Sequence, residues 1–378
     1  VGQLDLAEHE AFDLEALSTA VTLLLPEAPC PDAPIGASPA VVRVWFDAAL
    51  QAMEPIPADT LDSERDAALA FAQLAKADNT RRAYSAAVRA WCAWCSRRDL
   101  SPLPGSGADV AAFLASERGR GLAPPTLDLR RAAIRYLHHV AGCAVPTGDA
   151  CVSATLAGIR RSAAGRGERP RKKKAATVQV LRRLLDAIEN DLAGDRDRAL
   201  LLVGFAGALR RSEIAGIRVE DLEHTQRGMQ LTISQTKGSQ TEPVIIPLPY
   251  GDTALCPVRA LERWIKAAPI KEGPVFRRIW RQKISLKDGS PSLPRVGDDA
   301  LSDRAIALIV QNRAVAAGFG PQELGGHSLK RGALTTGMDR GAHPARLKRL
   351  GRHKSFDVLG EYLEFGDLFE GHPLTGIL

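Results

Sequence analysis

Six side chains in the second half of this chain are of types suited to handling a phosphate and its leaving group. Arg210 closes the apolar run ALLLVGFAGAL, and Lys237 sits in the turn-like QTKGSQ. His327 and Lys330, with Arg331 beside them, open GGHSLKRGALTT, while LGRHKSFDVLGEYLEF carries His353 and, nine residues later, Tyr362. An arginine's planar fork can hold two phosphate oxygens at once. At about 100° per residue, Lys330 and Arg331 both return to the helix face of His327, at a helix start whose free N–H groups already favour an anion. Geometry leaves open which of the two cations would clamp it. Taken singly, each residue has an ordinary explanation: Arg210 can pair with Glu213 at i+3, a turn lysine is usually solvated, and a lone helical tyrosine usually packs. Tyr362 is, however, the only tyrosine after Tyr250.

The elements that must carry these residues are mostly helical. TVQVLRRLLDAI, RDRALLLVGFAGALRRSEIAGI, CPVRALERWIKA and LSDRAIALIVQNRAVAAG read as helices, continuing towards the C-terminus. GMQLTISQTKGSQTEPVIIPL alternates apolar and polar residues on either side of a turn, Leu231 and Ile233 before it and Val244 and Ile246 after it, which predicts a β-hairpin carrying Lys237 in its turn. Ahead of this block lies RGERPRKKK, residues 166–174, with six cations against one acid. It reads as an interdomain linker whose Arg171, Lys172, Lys173 and Lys174 are candidates to lie along phosphates.

Residues 64–165 predict a second, all-helical domain. In DNTRRAYSAAVRAWCAWC, Tyr84, Val88, Trp91 and Cys95 recur as an amphipathic stripe, and DVAAFLASERG adds another helix. A third places Leu127, Ile134 and Leu137 inward with Arg130, Arg131 and Arg135 outside; TLAGIRRSAAG brings Arg160 and Arg161. Residues 1–63 read as an acidic, partly helical appendage. Residues 1–66 carry thirteen acids against Arg43 and Arg65, a balance of −11, so the other 312 residues hold +17 of the net +6. Such asymmetry points to a polyanionic partner for the larger part. Cys92-x-x-Cys95 lacks a credible second pair of zinc ligands and reads as core packing. No membrane span is apparent, the start lacks the basic-then-apolar pattern of a signal peptide, and a cytoplasmic, nucleoid-associated protein of bacterial, phage or plasmid origin is expected.

Arg210 within GALRRSE, Lys237 in a turn, His327 in HSLKR, and LGRH followed at +9 by Tyr362, in that order, resemble the phage-integrase or tyrosine-recombinase family. NTRRAY and the helices after it resemble the family's core-binding domain, and Thr80, Arg81 and Arg82 become DNA-binding candidates with the outer arginines named above. The resemblance implies a mainly α fold with a small antiparallel sheet: a helical, SAM-like domain and a catalytic domain (175–378) closing as a C-shaped clamp on double-stranded DNA. It implies nucleophilic attack by Tyr362 on a phosphodiester, with a 3′-phosphotyrosyl intermediate. Arg210, His327, His353 and a cation of the Lys330/Arg331 pair would stabilise the phosphorane, Lys237 would protonate the leaving oxygen, and Glu213 would orient Arg210. Neither metal, cofactor nor ATP is expected. Free protein would be monomer or dimer, with four protomers assembling on DNA and the apolar tail after Tyr362 docking on a neighbour. The departure is Lys330, which stands where the family usually has arginine. A DNA-binding protein of this fold that no longer cuts, or a type IB topoisomerase-like enzyme, remains the alternative.

Overall fold

In the computed structural model, residues 33–51, 78–168, 173–233, 243–280, 294–360 and 362–363 are described. The chain divides into two compact units, Val1–Pro170 and Arg171–Leu378. Lys237, Arg171, Lys172 and the tail from residue 364 fall outside the described residues.

The first unit is built from helices α1 (Pro39–Ala49), α2 (Asp78–Ser96), α3 (Gly107–Gly119), α4 (Pro124–Val140) and α5 (Ala150–Gly165). Local chemistry sets where several of them begin. Ser106 accepts the Asp109 N–H at 3.0 Å as the N-cap of α3, and prolines occupy the first turn of α1 and α4, where a missing N–H costs nothing. The core is the stripe expected from α2 and α4: Val88, Trp91, Cys95, Leu127, Ile134 and Leu137 are all fully buried. Trp91 stacks on Trp94 with centroids 5.5 Å apart, and both meet the edge of Phe113. The Cys92 and Cys95 thiols are buried among these rings, and burial pushes each up to about 12. His138, the nearest candidate ligand for a metal, instead accepts the Gly105 N–H at 2.9 Å. One expectation needs amending. Residues 39–49 are helical as expected but are not an appendage to the helical domain, because Val42 and Phe46 of α1 are fully buried in the same core, with Phe46 meeting Tyr136 edge-on.

The second unit surrounds α7 (Leu192–Ala206), whose Leu200, Leu201, Leu202 and Val203 are buried on all sides. Around it lie α6 (Val178–Asp186), α8 (Arg211–Ala215), α9 (Pro257–Ala267), α10 (Asp303–Ala316), α11 (Ser328–Asp339), α12 (Pro344–Gly351) and α13 (Phe356–Gly360). The predicted hairpin is β2 (Gly228–Ile233) against β3 (Val244–Pro249), with Leu231 opposite Ile246 and Ile233 opposite Val244. A further strand, β1 (Leu222–Thr225), completes an antiparallel sheet in the order β1-β2-β3. Alternation along the chain predicts that sheet alone. A second, two-stranded one pairs β4 (Arg277–Trp280) with β5 (Arg295–Ala300), and neither RRIW nor RVGDDA carries the alternation that would reveal it. The fold is mainly helical with small antiparallel sheets. No helix among the described residues is long and apolar enough to cross a membrane.

Candidate active site

The helix α7 ends in a turn that is unusual for its composition. Ala208 there has φ +45°, a left-handed conformation rare for a residue with a Cβ, and the chain then enters α8 with Arg210 as its N-cap. Glu213 secures that entry twice over. Its Oε2 accepts the Arg210 backbone N–H and its Oε1 accepts the Arg210 guanidinium, both at 2.7 Å, so the i+3 pair anticipated from LRRSE aims the arginine while capping the helix.

The same carboxylate has a second arginine, Arg352, which motif and spacing do not single out. It follows Gly351 at the C-terminus of α12 with φ +53°. From there its guanidinium donates to Gly207 O (3.0 Å), Leu350 O (2.8 Å), Ala208 O (2.8 Å) and Glu213 Oε2 (2.7 Å). It thus holds the strained Ala208 turn, the Arg210 helix and the end of α12 together. One signal of it exists in the sequence: a residue just past a helix end, where glycine is usual, and an arginine there needs anchors. Burial alone would raise the Glu213 carboxyl, but Arg352 and then Arg210 outweigh it and hold it below the usual carboxylate range.

Next to this pair stands Lys330, on the first turn of α11 and fully buried. Its Nζ donates to Gly351 O and lies 5.5 Å from the centre of the Tyr362 ring. Burial first, then the neighbouring Arg210 and Arg352 guanidiniums, lower its ammonium to about 7. His353 is also buried and meets the Tyr362 ring edge-on at 4.5 Å. Both of its ring nitrogens lack a hydrogen-bond partner among the described residues. Burial, with Lys330, Arg210 and Arg352 nearby, takes it down to about 4, so the imidazole is neutral at physiological pH. Gly351 makes room for it, since a Cβ there would sit 2.4 Å from the His353 ring. Tyr362 itself packs, with Leu363, against a small apolar cluster of Ala208, Leu334, Leu347 and Leu359.

Arg331 goes elsewhere. It donates to the backbone carbonyl of Lys173, tying α11 to the segment that enters this unit. That segment runs along α11, with the Ala176 N–H on Ser328 O at 2.9 Å. The structure therefore brings Arg210, Glu213, Lys330, His353 and Tyr362 together, and it directs the Arg331 guanidinium to the Lys173 carbonyl. His327 is the exposed N-cap of α11, one turn before Lys330. Among the DNA-binding candidates, several already have protein partners: Arg130 on Glu117 and Ala86 O, Arg160 on Asp128, Arg82 on Asn79, Lys173 on Gln322 and Lys174 on Glu323. Thr80, Arg81 and Arg131 are half-buried, and Arg135 and Arg161 are exposed.

Residues 174–366 match the model of the phage integrase family, just over half of the chain. An integrase/recombinase described as a xerD homolog, from Selenomonas ruminantium, is 33% identical over 306 residues, which cover 79% of this chain and 85% of that protein. The chain belongs to the phage integrase family. Another relative in the family is the recombinase cre of Escherichia phage P1, 28% identical over 223 residues, covering 57% of this chain and 64% of that protein. In fold, this integrase-family chain resembles the XerH site-specific recombinase bound to palindromic difH substrate in a post-cleavage complex, with a TM-score of 0.61 at 13% identity over 91% of this chain and 98% of that one. It is a tyrosine-type site-specific recombinase.

Proposed function

We propose that this recombinase cuts and rejoins double-stranded DNA at this cluster, with Tyr362 as the nucleophile. Its hydroxyl oxygen, giving up its proton to solvent, forms a bond to phosphorus as the bond to the 5′-oxygen breaks, leaving a 3′-phosphotyrosyl link and a free 5′-hydroxyl. The bond energy is retained, so rejoining by a 5′-hydroxyl needs no further input. The charge that develops on the phosphorane calls for donors already in place. Arg210, held rigidly by Glu213, offers two guanidinium N–H groups, neutral His353 offers one N–H, and Lys330 and His327 supply the rest. Lys237, in the connection between β2 and β3, protonates the departing oxygen.

One observation carries this reading: the Tyr362 ring lies against His353 and Lys330, both buried, and Lys330 bonds the Gly351 carbonyl beside Arg352, which shares Glu213 with Arg210. Residues 64–165 and 175–378, joined by the basic stretch 166–174, each bind the duplex, and four protomers assemble two duplexes for exchange in the cytoplasm. The test uses a nicked duplex that traps the cleaved state. Wild-type protein forms a covalent adduct with it, whereas Tyr362→Phe binds equally well and forms none. A persistent adduct in the variant would place the nucleophile elsewhere. Exchange between two duplexes, rather than relaxation of one, is the outcome expected of a recombinase.

A further inference from the structure

Among the described residues, Glu213 is the single carboxylate that meets three basic side chains in a space almost closed to water. The Arg210, Arg352 and Glu213 side chains are 14%, 8% and 3% exposed, and Lys330 is 0% exposed. Both arginines reach the carboxylate directly, and Arg352 adds three backbone carbonyls. Lys330 is left with one neutral acceptor, Gly351 O. Among the described residues, the charged and titratable groups that face it are Arg210 and Glu213 from the start of α8, Arg352 and His353 from the end of α12, and Tyr362 beyond α13. None of these adds a second negative charge at neutral pH. Two guanidiniums and one carboxylate already leave a net positive charge, and a protonated Lys330 would add another with no counter-ion. Buried groups in that position give up their charge. A guanidinium cannot do so, which leaves the lysine.

We propose that Lys330 stands uncharged in the DNA-free enzyme and takes up one proton from solvent as the scissile phosphate enters, so that filling the site and charging it are one event. The Nζ lone pair forms the new N–H bond, and the incoming phosphodiester supplies the missing counter-charge. This rests on the reading of the cluster as the phosphodiester-cleaving site. An arginine at this position would be cationic with or without DNA; the lysine makes the full positive charge conditional on the phosphate. The surroundings that lower Lys330 to about 7 set the pH above which uptake is seen.

The experiment follows the ε-carbon of Lys330 in full-length protein carrying 13C-labelled lysine, its signal identified by its loss in Lys330→Arg. In chloride the midpoint is expected near neutrality. In sulfate at equal ionic strength, an oxyanion that does not itself titrate there, it is expected to move up by one unit or more, a tenfold or greater preference of the anion for the charged form. Calorimetry of binding to a duplex at pH 8, in two buffers of different ionisation enthalpy, should register one proton taken up by wild type and by Tyr362→Phe, and none by Lys330→Arg. A midpoint in the ordinary lysine range in chloride, a midpoint unmoved by sulfate, or uptake lost in Tyr362→Phe would overturn the proposal. Failure of the cleavage reading is seen separately: a normal titration with no covalent adduct would refute that reading and leave the proton uptake standing.

Discussion

Replacing Arg352 with alanine should destabilise the catalytic unit more than any exposed substitution in it. The guanidinium makes four hydrogen bonds of 2.7–3.0 Å, to Gly207 O, Leu350 O, Ala208 O and Glu213 Oε2, and its side chain is 8% exposed. Truncation takes a donor from three carbonyls and removes one of the two donors to Glu213 Oε2, leaving that oxygen only the Arg210 backbone N–H. Breaking a buried pair by removing one partner costs about 3–5 kcal/mol, which for a unit of this size lowers Tm by roughly 6–20 °C. Backbone conformation offers an internal control. With φ +53°, residue 352 bears a strain that glycine relieves, so Arg352→Gly should recover about 1 kcal/mol relative to Arg352→Ala. Thermal and urea unfolding of both variants give the stability. Adduct formation on a nicked duplex gives the chemistry, which should fall in both because the Ala208 turn that aims Arg210 is no longer held. An alanine variant within about 1 kcal/mol of wild type, outside the cost expected for a buried pair, would refute the idea that this arginine fastens the site. So would a glycine variant no more stable than the alanine one.

Three further outcomes follow from named contacts. Gly332→Ala would set a Cβ 1.9 Å from Ala176 O, a backbone atom that cannot swing aside; the expected loss is about 3 kcal/mol in urea unfolding, and a neutral result would mean residues 173–177 are not docked on α11. The unfolded chain keeps the Lys330 proton up to about pH 10, the folded one only to about 7, so folding releases a proton between these values and wild-type stability should rise with pH across that window. The gain is at most about 5 kcal/mol, and Lys330→Met should remove it, as unfolding at pH 7 and 9.5 would show. Lys173 and Lys174 already bond Gln322 and Glu323, so neutralising both should change the slope of log K against log salt by well under the ~0.9 per phosphate contact; a flattening near two would mean that they leave those partners for DNA.

Much of the site is legible in the sequence because its parts are local. The i+3 relation of Arg210 and Glu213 sets a helix cap and an ion pair within four residues, and the nine-residue spacing from His353 to Tyr362 spans one short helix and two turns. The β2–β3 hairpin follows from the alternation of Leu231 and Ile233 before a turn and Val244 and Ile246 after it. The illegible parts depend on contacts distant in sequence. Arg352 acts through Gly207, Ala208 and Glu213, some 140 positions away, and no local pattern marks that. The α1 helix lies in an acidic stretch resembling a tail, and only the pocket that accepts Val42 and Phe46 makes it part of a core.

The pair Lys330 and Arg331 shows where helix periodicity stops deciding. Measured from His327, i+4 deviates by about 40° and i+3 by about 60°, a difference too small to choose a clamp and, if anything, favouring the arginine. The deciding contact lies on the other side of α11. Gly332 admits the Ala176 backbone against the helix, the Ala176 N–H reaches Ser328 O, and the Lys173 carbonyl is then positioned for Arg331. With that side taken by the incoming chain, Lys330 is the cation left facing Tyr362, His353 and the Glu213 pair. The choice is therefore made by a glycine whose lack of a side chain lets another segment approach. A substitution there should disturb one cation and spare the other, freeing Arg331 from its carbonyl while leaving Lys330 on Gly351.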